Sequence, residues 1–550
     1  MKKFIAIVLV LVTVLGLCAC GKSGGGSGEK NYMSADGKVT LTIGLKTSAL
    51  IMDHKNNELT KWVEEKCNVN LEFQEYAGGT DIPTQISTAI AARQELPDII
   101  IGVDLNEKSV QRYGEEGYIR DLQDYFADKE GASKIFWDRV ENEMTEYEQM
   151  LVDKHLSDPA TGAIYAVPMV ETSLVDKLDC MVWINKEWMD KLGLENPTNN
   201  EELYEVLKAF KENDCNGNGD PNDEIPLYGA TTGLCTNVIS WLTNTFTYYN
   251  RNRWWMVDEN NKIYVPFTQP EFREAMIFMN KLYKEGLLSN MMFSGVEPSI
   301  STPTNGVPLC GIFLGHMNGH VQKNNDLIYQ YEPLEKWGCS IMNDMSFKKT
   351  TFITDSCPEE NVAKAFEVLM TLWSWDGSMR QRYGAYGENW TDPDPGAVSD
   401  IGLECTYKLL SDPFGTQNTV RWSSMCGFNA YAECETAQTT ESSPWLAKRI
   451  QLHAETYKLH LKAAEKYNGA YTPAKPFTFT VEEADEVNML KTNTHDYFNK
   501  ALNNFIRGEG GLDPKSDVSW NEYLAKLDEL GLNKYIEMAQ TAYDRAYPNG

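Results

Sequence analysis

The stretch "KVTLTIGLKTSALIMDHKNNELTKWVEEKCNVNLEFQEY", Lys38 to Tyr76, decides the fold. Its first eight residues, Lys38–Leu45, alternate apolar and polar side chains, the pattern of a β-strand with one buried face. Leu59, Trp62, Val63 and Cys67 then recur at helical spacing, which gathers them on one face of a helix. "VNLEFQEY", Val69–Tyr76, returns to strand. Downstream, "IPTQISTAIAARQE" turns Ile86, Ala89 and Ile90 inward, and "LPDIIIGV" is a continuous apolar run of the kind buried in a parallel sheet. The order is β-α-β-α-β, with right-handed crossovers as the default.

A second set of alternating elements begins near "AIYAVPM" and "DCMVWINKEWMDKLGL". Two such sets imply two α/β lobes, and 550 residues exceed the roughly 250–300 at which a single core stops growing. The tail from Glu482 to Pro548 is helical in pattern. Within it, Ser519 is the expected N-cap, Trp520, Tyr523, Leu524 and Leu527 the inward face, and Gly531 the stop.

The N-terminus gives an address. Met1-Lys2-Lys3 is a basic start, and Phe4–Leu17 is apolar or small except for Thr13. The run is shorter than the roughly 20 residues a membrane-spanning helix needs and has the proportions of a signal peptide. It ends in "LCAC", which resembles a bacterial lipobox and makes Cys20 the expected acylated first residue of the mature chain. "GKSGGGSGEK" then reads as a flexible tether. The expected location is the extracytoplasmic face of the cell membrane, held by lipid. "GLCACGKS" also fits a phosphate-binding-loop pattern, but it straddles the cleavage site and joins no strand to a helix.

Composition excludes one class. Asp and Glu number 79 against 50 Lys and Arg, a net charge of −29, which is a poor match to nucleic acid. Loss of Lys2 and Lys3 with the leader makes the mature chain more acidic still. After Cys18 and Cys20, ten cysteines remain, none in a C-x-x-C pair, so thiol-rich zinc or thioredoxin-like chemistry has no support.

"DCNGNGDPNDE", Asp214–Glu224, follows an amphipathic helix that places Leu203, Val206, Leu207 and Phe210 on one face. Asp214, Asn216 and Asn218 alternate, Gly219 turns, and the Asp220 carbonyl is a further oxygen, as in the first half of a calcium loop. The twelfth position is Ile225 rather than a glutamate, and a strand, "IPLYG", follows. The alternative is an Asx-rich turn without metal. On either reading the stretch does no acid–base chemistry.

Taken together, the lipobox and tether, "LPDIII", "EEGYIRDLQDYF", "AVPM", the run from "WINKEWMDKLGL" to "NDEIPL", "PEFREAMIFMNKLYKEGLL" and the C-terminal helices resemble extracellular solute-binding lipoproteins of ABC transporters. The likeness is to the family 1 sugar-binding type, similar to LplA-like and alginate-oligosaccharide-binding proteins. It implies a periplasmic-binding-protein-like (type II) α/β fold: two α/β lobes joined by hinge strands around a ligand cleft, with additional C-terminal helices. It implies a monomer that binds a carbohydrate and hands it to membrane permease subunits. It also implies a structural calcium ion at Asp214, Asn216, Asn218, Asp220, Asn222, Asp223 and Glu224. The expected division is a signal peptide over 1–19, lipidated Cys20 and tether over 20–36, and a two-lobed region over 37–550. The first lobe is expected over about 37–150 plus a segment near 300–380, the second over about 160–300 plus most of 385–550.

Sugars present an apolar C–H face to aromatic rings and hydroxyls to polar groups, so the 14 Trp, 27 Tyr and 20 Phe suit such a ligand. Irregular segments nominate Tyr248, Arg253, Trp254 and Trp255, then Tyr386, Glu388 and Trp390, then Arg421 and Trp422. Positions following parallel strands nominate Lys46, Ser48, Glu75, Tyr76 and Asp104, since α/β ligands sit at those ends. For each aromatic, core packing is the competing expectation. No catalytic residue is nominated. The only G-x-S-x-G lies in the tether, and His316 and His320 lack the glutamate of H-E-x-x-H. Alternatives are an oligopeptide-binding lipoprotein, with more backbone pairing, and a surface glycoside hydrolase, with two carboxylates facing one bond.

Overall fold

The computed structural model describes residues 32–77, 81–158, 161–171, 180–220, 222–231, 235–250, 255–258, 260–294, 309–315, 328–330, 346–411, 413, 416–427, 435–438, 451, 454–455, 457–458, 477 and 479–548. In chain order its strands are β1 (Val39–Lys46), β2 (Val69–Tyr76), β3 (Ile99–Ile101), β4 (Val167–Glu171), β5 (Val182–Asn185), β6 (Ile225–Tyr228), β7 (Met256–Val257), β8 (Ile263–Tyr264), β9 (Cys310–Leu314), β10 (Ile328–Gln330), β11 (Ser346–Ile353), β12 (Trp390–Thr391), β13 (Tyr407–Leu409) and β14 (Ala437–Gln438).

The first large sheet has the order β2-β1-β3-β11-β4. β1 runs parallel to β2, pairing Lys46 with Tyr76, and parallel to β3, pairing Ile43 with Ile99. β11 runs antiparallel to both neighbours, β3 and β4. The C-terminal ends of β1, β2, β3 and β4 therefore lie along one edge. Alternation assigns the two faces. Leu41, Ile43 and Leu45 pack in one core with the helices Glu58–Cys67, Lys134–Glu143 and Glu359–Trp373. Tyr76, Ile100 and Phe352 pack on the other face with Ile86 and Ile90 of the helix Ile82–Ala91 and Val110 and Tyr113 of the helix Glu107–Glu115. Helix Glu58–Cys67 starts where the Asn57 side chain accepts from the Leu59 N–H and stops at Asn68, which adopts the left-handed conformation at φ 51°.

The second large sheet has the order β10-β5-β9-β6, with β6 and β9 parallel and β5 antiparallel to both β9 and β10. Its core includes Ile184, Leu227 and Ile312 together with Phe272 and Met276 of the helix Pro270–Lys284. The same core takes in Phe498 and Phe505 of the helix Val481–Arg507, Tyr523 of Asp517–Glu529 and Tyr535 of Leu532–Ala546. The two sheets with their helix layers form the type II two-lobe fold. Smaller sheets are β12-β13-β14 and the ribbon β7-β8.

Strand pairing differs from the expected division of the chain. β9 and β10 join the second sheet and only β11 returns to the first, so residues 300–380 do not travel together. β4, beyond the expected limit near 150, belongs to the first sheet, and Trp422, expected with the second lobe, lies in the first lobe's core. Sequence pattern identifies a strand but not its partner. The expected Ser519 cap is also displaced. The helix begins at Asp517, Ser516 accepts from the Ser519 N–H, and the Ser519 hydroxyl accepts from the Asp513 N–H. Gly531 has φ 97°, a left-handed backbone that favours glycine between the last two helices, and a Cβ there would displace the end of the Leu490 side chain.

The described cysteines 67, 215, 310, 357, 405 and 426 are buried free thiols, and Cys180 and Cys235 are buried as well. Among the described residues no helix is long and apolar enough to cross a membrane. Cys20 lies outside the described residues.

Candidate functional site

Parallel strands ending together align their following loops, and three of those loops are tied down by one returning segment, residues 416–427. Asn57, which caps helix Glu58–Cys67, donates to the Arg421 carbonyl at 2.9 Å. The Trp422 indole donates to Thr60 Oγ1 at 2.9 Å and meets the Phe73 ring edge-on at 5.5 Å. Ser423 donates to the Lys46 carbonyl at the end of β1. A Cβ on Gly102, just past β3, would meet Ser424 Cβ at 2.7 Å, and the Val170 N–H of β4 donates to the Gly427 carbonyl at 2.9 Å. The segment thus crosses the ends of β1, β3 and β4 in turn.

Lys46, Ser48, Glu75, Tyr76 and Asp104 lie at this edge. Lys46, Glu75 and Asp104 are exposed, and Ser48 is half-buried with its hydroxyl accepting from the Leu50 N–H at 3.2 Å. Tyr76 is instead 6% exposed and packs in the apolar layer, where burial pushes its phenol up to about 12. Its hydroxyl has no hydrogen-bond partner among the described residues. His54, which no sequence pattern marks, lies 3% exposed in the loop after β1. Its Nδ1 stands 2.7 Å from Glu75 Oε1 and its Nε2 3.0 Å from Ser423 Oγ. A histidine in a loop leaving a parallel strand was the available signal.

The nominated aromatics divide. Trp422 is fully buried, so it braces the returning segment and presents no ring to the edge. Arg421 is also buried, with Nη1 3.4 Å from the Trp422 carbonyl. Trp390 is buried with its indole donating to the Gly384 carbonyl at 3.0 Å. Tyr386 is exposed, stands edge-on to Trp390 at 4.9 Å and donates to Asp392 at 2.8 Å. Glu388 is exposed in the same turn, and a Cβ on the neighbouring Gly384 would meet Val420 at 2.7 Å, which sets this turn against the returning segment. Tyr248 is buried, and Trp255 is half-buried against Phe477, with ring centroids 4.6 Å apart. Arg253, Trp254, His316 and His320 lie outside the described residues. The corrections share a cause: in an irregular segment, a large ring gains more from burial than from exposure unless the fold turns it outward.

A crevice of about 460 Å³ separates the helices Glu107–Glu115 and Glu146–His155 from Phe477 and residues 479–488. Lys108 pairs with Asp485 and Lys154 donates to the Tyr547 hydroxyl at 2.8 Å, so polar contacts join the first lobe to the C-terminal helices beside it. Burial lowers the His155 imidazole and the Lys349 ammonium below their ordinary ranges.

At Asp214–Glu224, Asp214 Oδ1 accepts from the Gly217 and Asn218 amides at 2.7 and 3.1 Å, and Oδ2 accepts from Gly219 at 2.9 Å. Asn216 and Asn218 donate to the two oxygens of Asp223 at 2.9 and 2.6 Å. Asp220 accepts from the Asn222 side chain at 3.2 Å. Glu224 Oε1 accepts from the Cys215 N–H at 2.8 Å, whereas Oε2 is buried with no partner among the described residues, and burial raises this carboxyl. Lys191 closes the outside of the loop, donating to the Asp214 carbonyl at 2.8 Å. Among the described residues no three acidic, His or Cys side chains converge as a ready metal cluster. The loop nevertheless supplies an orphaned buried carboxylate oxygen within an oxygen-rich ring, the donor chemistry of a hard cation.

Residues 53–297 match the family model described as bacterial extracellular solute-binding protein. Over that stretch the chain is similar to that family. The chain is 22% identical, over 98% of each chain, to the fructooligosaccharide ABC transporter substrate-binding protein FusA of Streptococcus pneumoniae. Its fold superposes on an EF-hand mutant of FusA in complex with fructo-nystose with a TM-score of 0.69 and 19% identity, covering 93% of this chain and 100% of the other. It also matches an extracellular solute-binding protein from Bifidobacterium longum subsp. infantis with a TM-score of 0.71 and 20% identity, covering 93% and 99%.

Proposed function

We propose that this protein is the binding subunit of an ABC importer, captures an oligosaccharide at the shared edge of the parallel strands, and delivers it unaltered to a membrane permease. The observation that carries the reading is the row of exposed polar groups, Glu75 near the end of β2, Lys46 at the end of β1 and Asp104 in the loop past β3, on three adjacent strands of one sheet. Ligands of open α/β sheets sit at such ends, and the full-length likeness to a fructooligosaccharide-binding protein favours saccharide over peptide. Exposed Tyr386 and Glu388, beside the returning segment, supply a ring face and a carboxylate for the same ligand. Closure of the lobes shifts a population toward the form the permease recognises and makes or breaks no covalent bond. The chain acts as a monomer held to the extracytoplasmic membrane face through acylated Cys20.

A hydrolytic reading deserves one comparison, because Ser423, His54 and Glu75 have the residue types of a catalytic triad. Ser423 also bonds the Lys46 carbonyl at the end of β1, which favours a brace over a nucleophile. Calorimetry of the mature protein against fructooligosaccharides and other oligosaccharides tests the reading. Micromolar or tighter binding with the ligand recovered intact is expected. Binding of peptides alone, or cleavage of the saccharide, would overturn it.

The Asp214–Glu224 loop holds calcium on this reading, with Asp214, Asn216, Asn218, the Asp220 carbonyl, Asp223 and Glu224 as ligands. Asn222, whose amide is turned onto Asp220, plays a lesser part. A bound dication offsets the burial of the Glu224 carboxylate and fixes the corner between the helix Asn200–Glu212 and β6.

A further inference from the structure

In an asparagine-glycine pair the glycine nitrogen can attack the asparagine side chain with little hindrance, because glycine has no Cβ and a permissive backbone. The loop Asp214–Glu224 carries two such pairs in succession, Asn216-Gly217 and Asn218-Gly219. Asn218 and both glycines are exposed, so burial does not shield them from water. Hydrogen bonds engage the reacting groups instead. Gly217 and Gly219, the attacking nitrogens, donate their only hydrogens to the two oxygens of Asp214, at 2.7 and 2.9 Å. The groups that would leave, Nδ2 of Asn216 and of Asn218, donate to the two oxygens of Asp223 at 2.9 and 2.6 Å. The side-chain carbonyls are fixed as well, accepting from the Asn218 N–H at 3.0 Å and from the Asp220 N–H at 2.7 Å.

We propose that Asn216-Gly217 and Asn218-Gly219 are a paired deamidation site, and that Asp214 and Asp223 keep it unreacted in the folded loop. The chemistry needs only water. The glycine nitrogen gives its proton to solvent and bonds to the asparagine Cγ, the Cγ–Nδ2 bond breaks, and the departing amino group takes a proton from solvent and leaves as ammonia. Water then opens the succinimide at either carbonyl to give aspartate or isoaspartate, and nothing is oxidised or reduced. A carboxylate that accepts the glycine N–H opposes loss of that proton, since the nitrogen anion left behind would face a second negative charge. Asp223, holding both amino groups, keeps each Cγ from turning onto the neighbouring nitrogen. One carboxylate thus guards both nitrogens and the other guards both side chains, so the loss of either releases two sites at once. The product alters the corner between the helix Asn200–Glu212 and β6. Aspartate adds a carboxylate to the oxygen ring, whereas isoaspartate lengthens the backbone by an atom and spoils the alternate spacing of the ring. The inference stands on these hydrogen bonds and not on the calcium reading.

The test incubates the full-length mature protein in mildly alkaline buffer, once with calcium and once with a chelator, and follows ammonia loss at each asparagine by mass spectrometry of the loop peptide. In both buffers folded wild type reacts at least about tenfold more slowly at Asn216 and Asn218 than the same chain in denaturant, the factor that losing one charge-assisted hydrogen bond is worth. Asp214→Ala frees both glycine amides and speeds both sites at least about tenfold while the melting curve still shows a folded chain. Asp223→Ala, which leaves the Asp214 bonds in place, speeds them as well and serves where the first variant does not fold. Lys191→Ala removes the bonds to the Asp214 and Cys215 carbonyls but touches no reacting group, and leaves both rates within about twofold, as for an ordinary surface substitution. Folded wild type reacting as fast as the denatured chain overturns the inference, as does an unchanged rate in folded Asp214→Ala. So does a Lys191→Ala chain that reacts as fast as Asp214→Ala, since general loosening would then explain both. Protection seen only with calcium assigns it to the ion and likewise overturns the role given to the two aspartates.

Discussion

At the scale of single residues, exposure separates bracing side chains from gripping ones. Trp422 fills the first core and fastens the returning segment to Thr60, so Trp422→Ala should destabilise the protein by about 3–5 kcal/mol, read as a fall in the denaturant midpoint. Tyr386→Ala, at an exposed ring, should leave that midpoint within about 0.5 kcal/mol and weaken only saccharide binding. The sequence marks both as aromatics in irregular segments and cannot rank them, because exposure is a property of the tertiary layer. The strand-end residues are more legible: Lys46, Glu75 and Asp104 follow from parallel-strand direction alone. His54 escapes because its partners, Glu75 and Ser423, lie 21 and 369 residues away.

At the scale of elements, one loop and one cap carry measurable charge chemistry. Chelation of calcium should lower the melting temperature by about 5 °C, added calcium should restore it, and Asp214→Ala should abolish the response. No change on chelation would leave Asp214–Glu224 as a self-bonded turn. Helix Val481–Arg507 begins with a capping box in which Thr480 and Glu483 exchange hydrogen bonds, and Arg545 of the last helix donates to the same Glu483 carboxylate at 3.0 and 2.8 Å. Those bonds lower Glu483 to about 2. A carboxyl depressed in the folded state stabilises above its unfolded range and loses that contribution as pH falls toward about 2. Glu483→Gln should therefore remove at most about 1 kcal/mol at neutral pH, since solvent screens the pair, and make the acid limb of the melting curve shallower. The β-α-β-α-β start is legible because its periods are strong and local. The displaced cap at Ser516 is not, since two serines three residues apart are equally good acceptors and tertiary contacts choose between them.

At the scale of the molecule, two lobes follow from chain length and the repeated alternation of elements, whereas the path between them does not. A strand's partner depends on contacts hundreds of residues apart, as β11 shows by inserting between β3 and β4. The insertion has a consequence for biogenesis. On the export proposed above, a chain emerging from its N-terminus delivers β1 to β4 first, yet among the described residues β4 pairs in its sheet only with β11, more than 170 residues later. The first lobe must wait, incomplete and open along its middle, while the second is still arriving. A fragment ending at Glu171 should lack cooperative unfolding and near-ultraviolet dichroism, and a well-folded fragment would refute the point. Extracytoplasmic chaperones would be needed most in that interval.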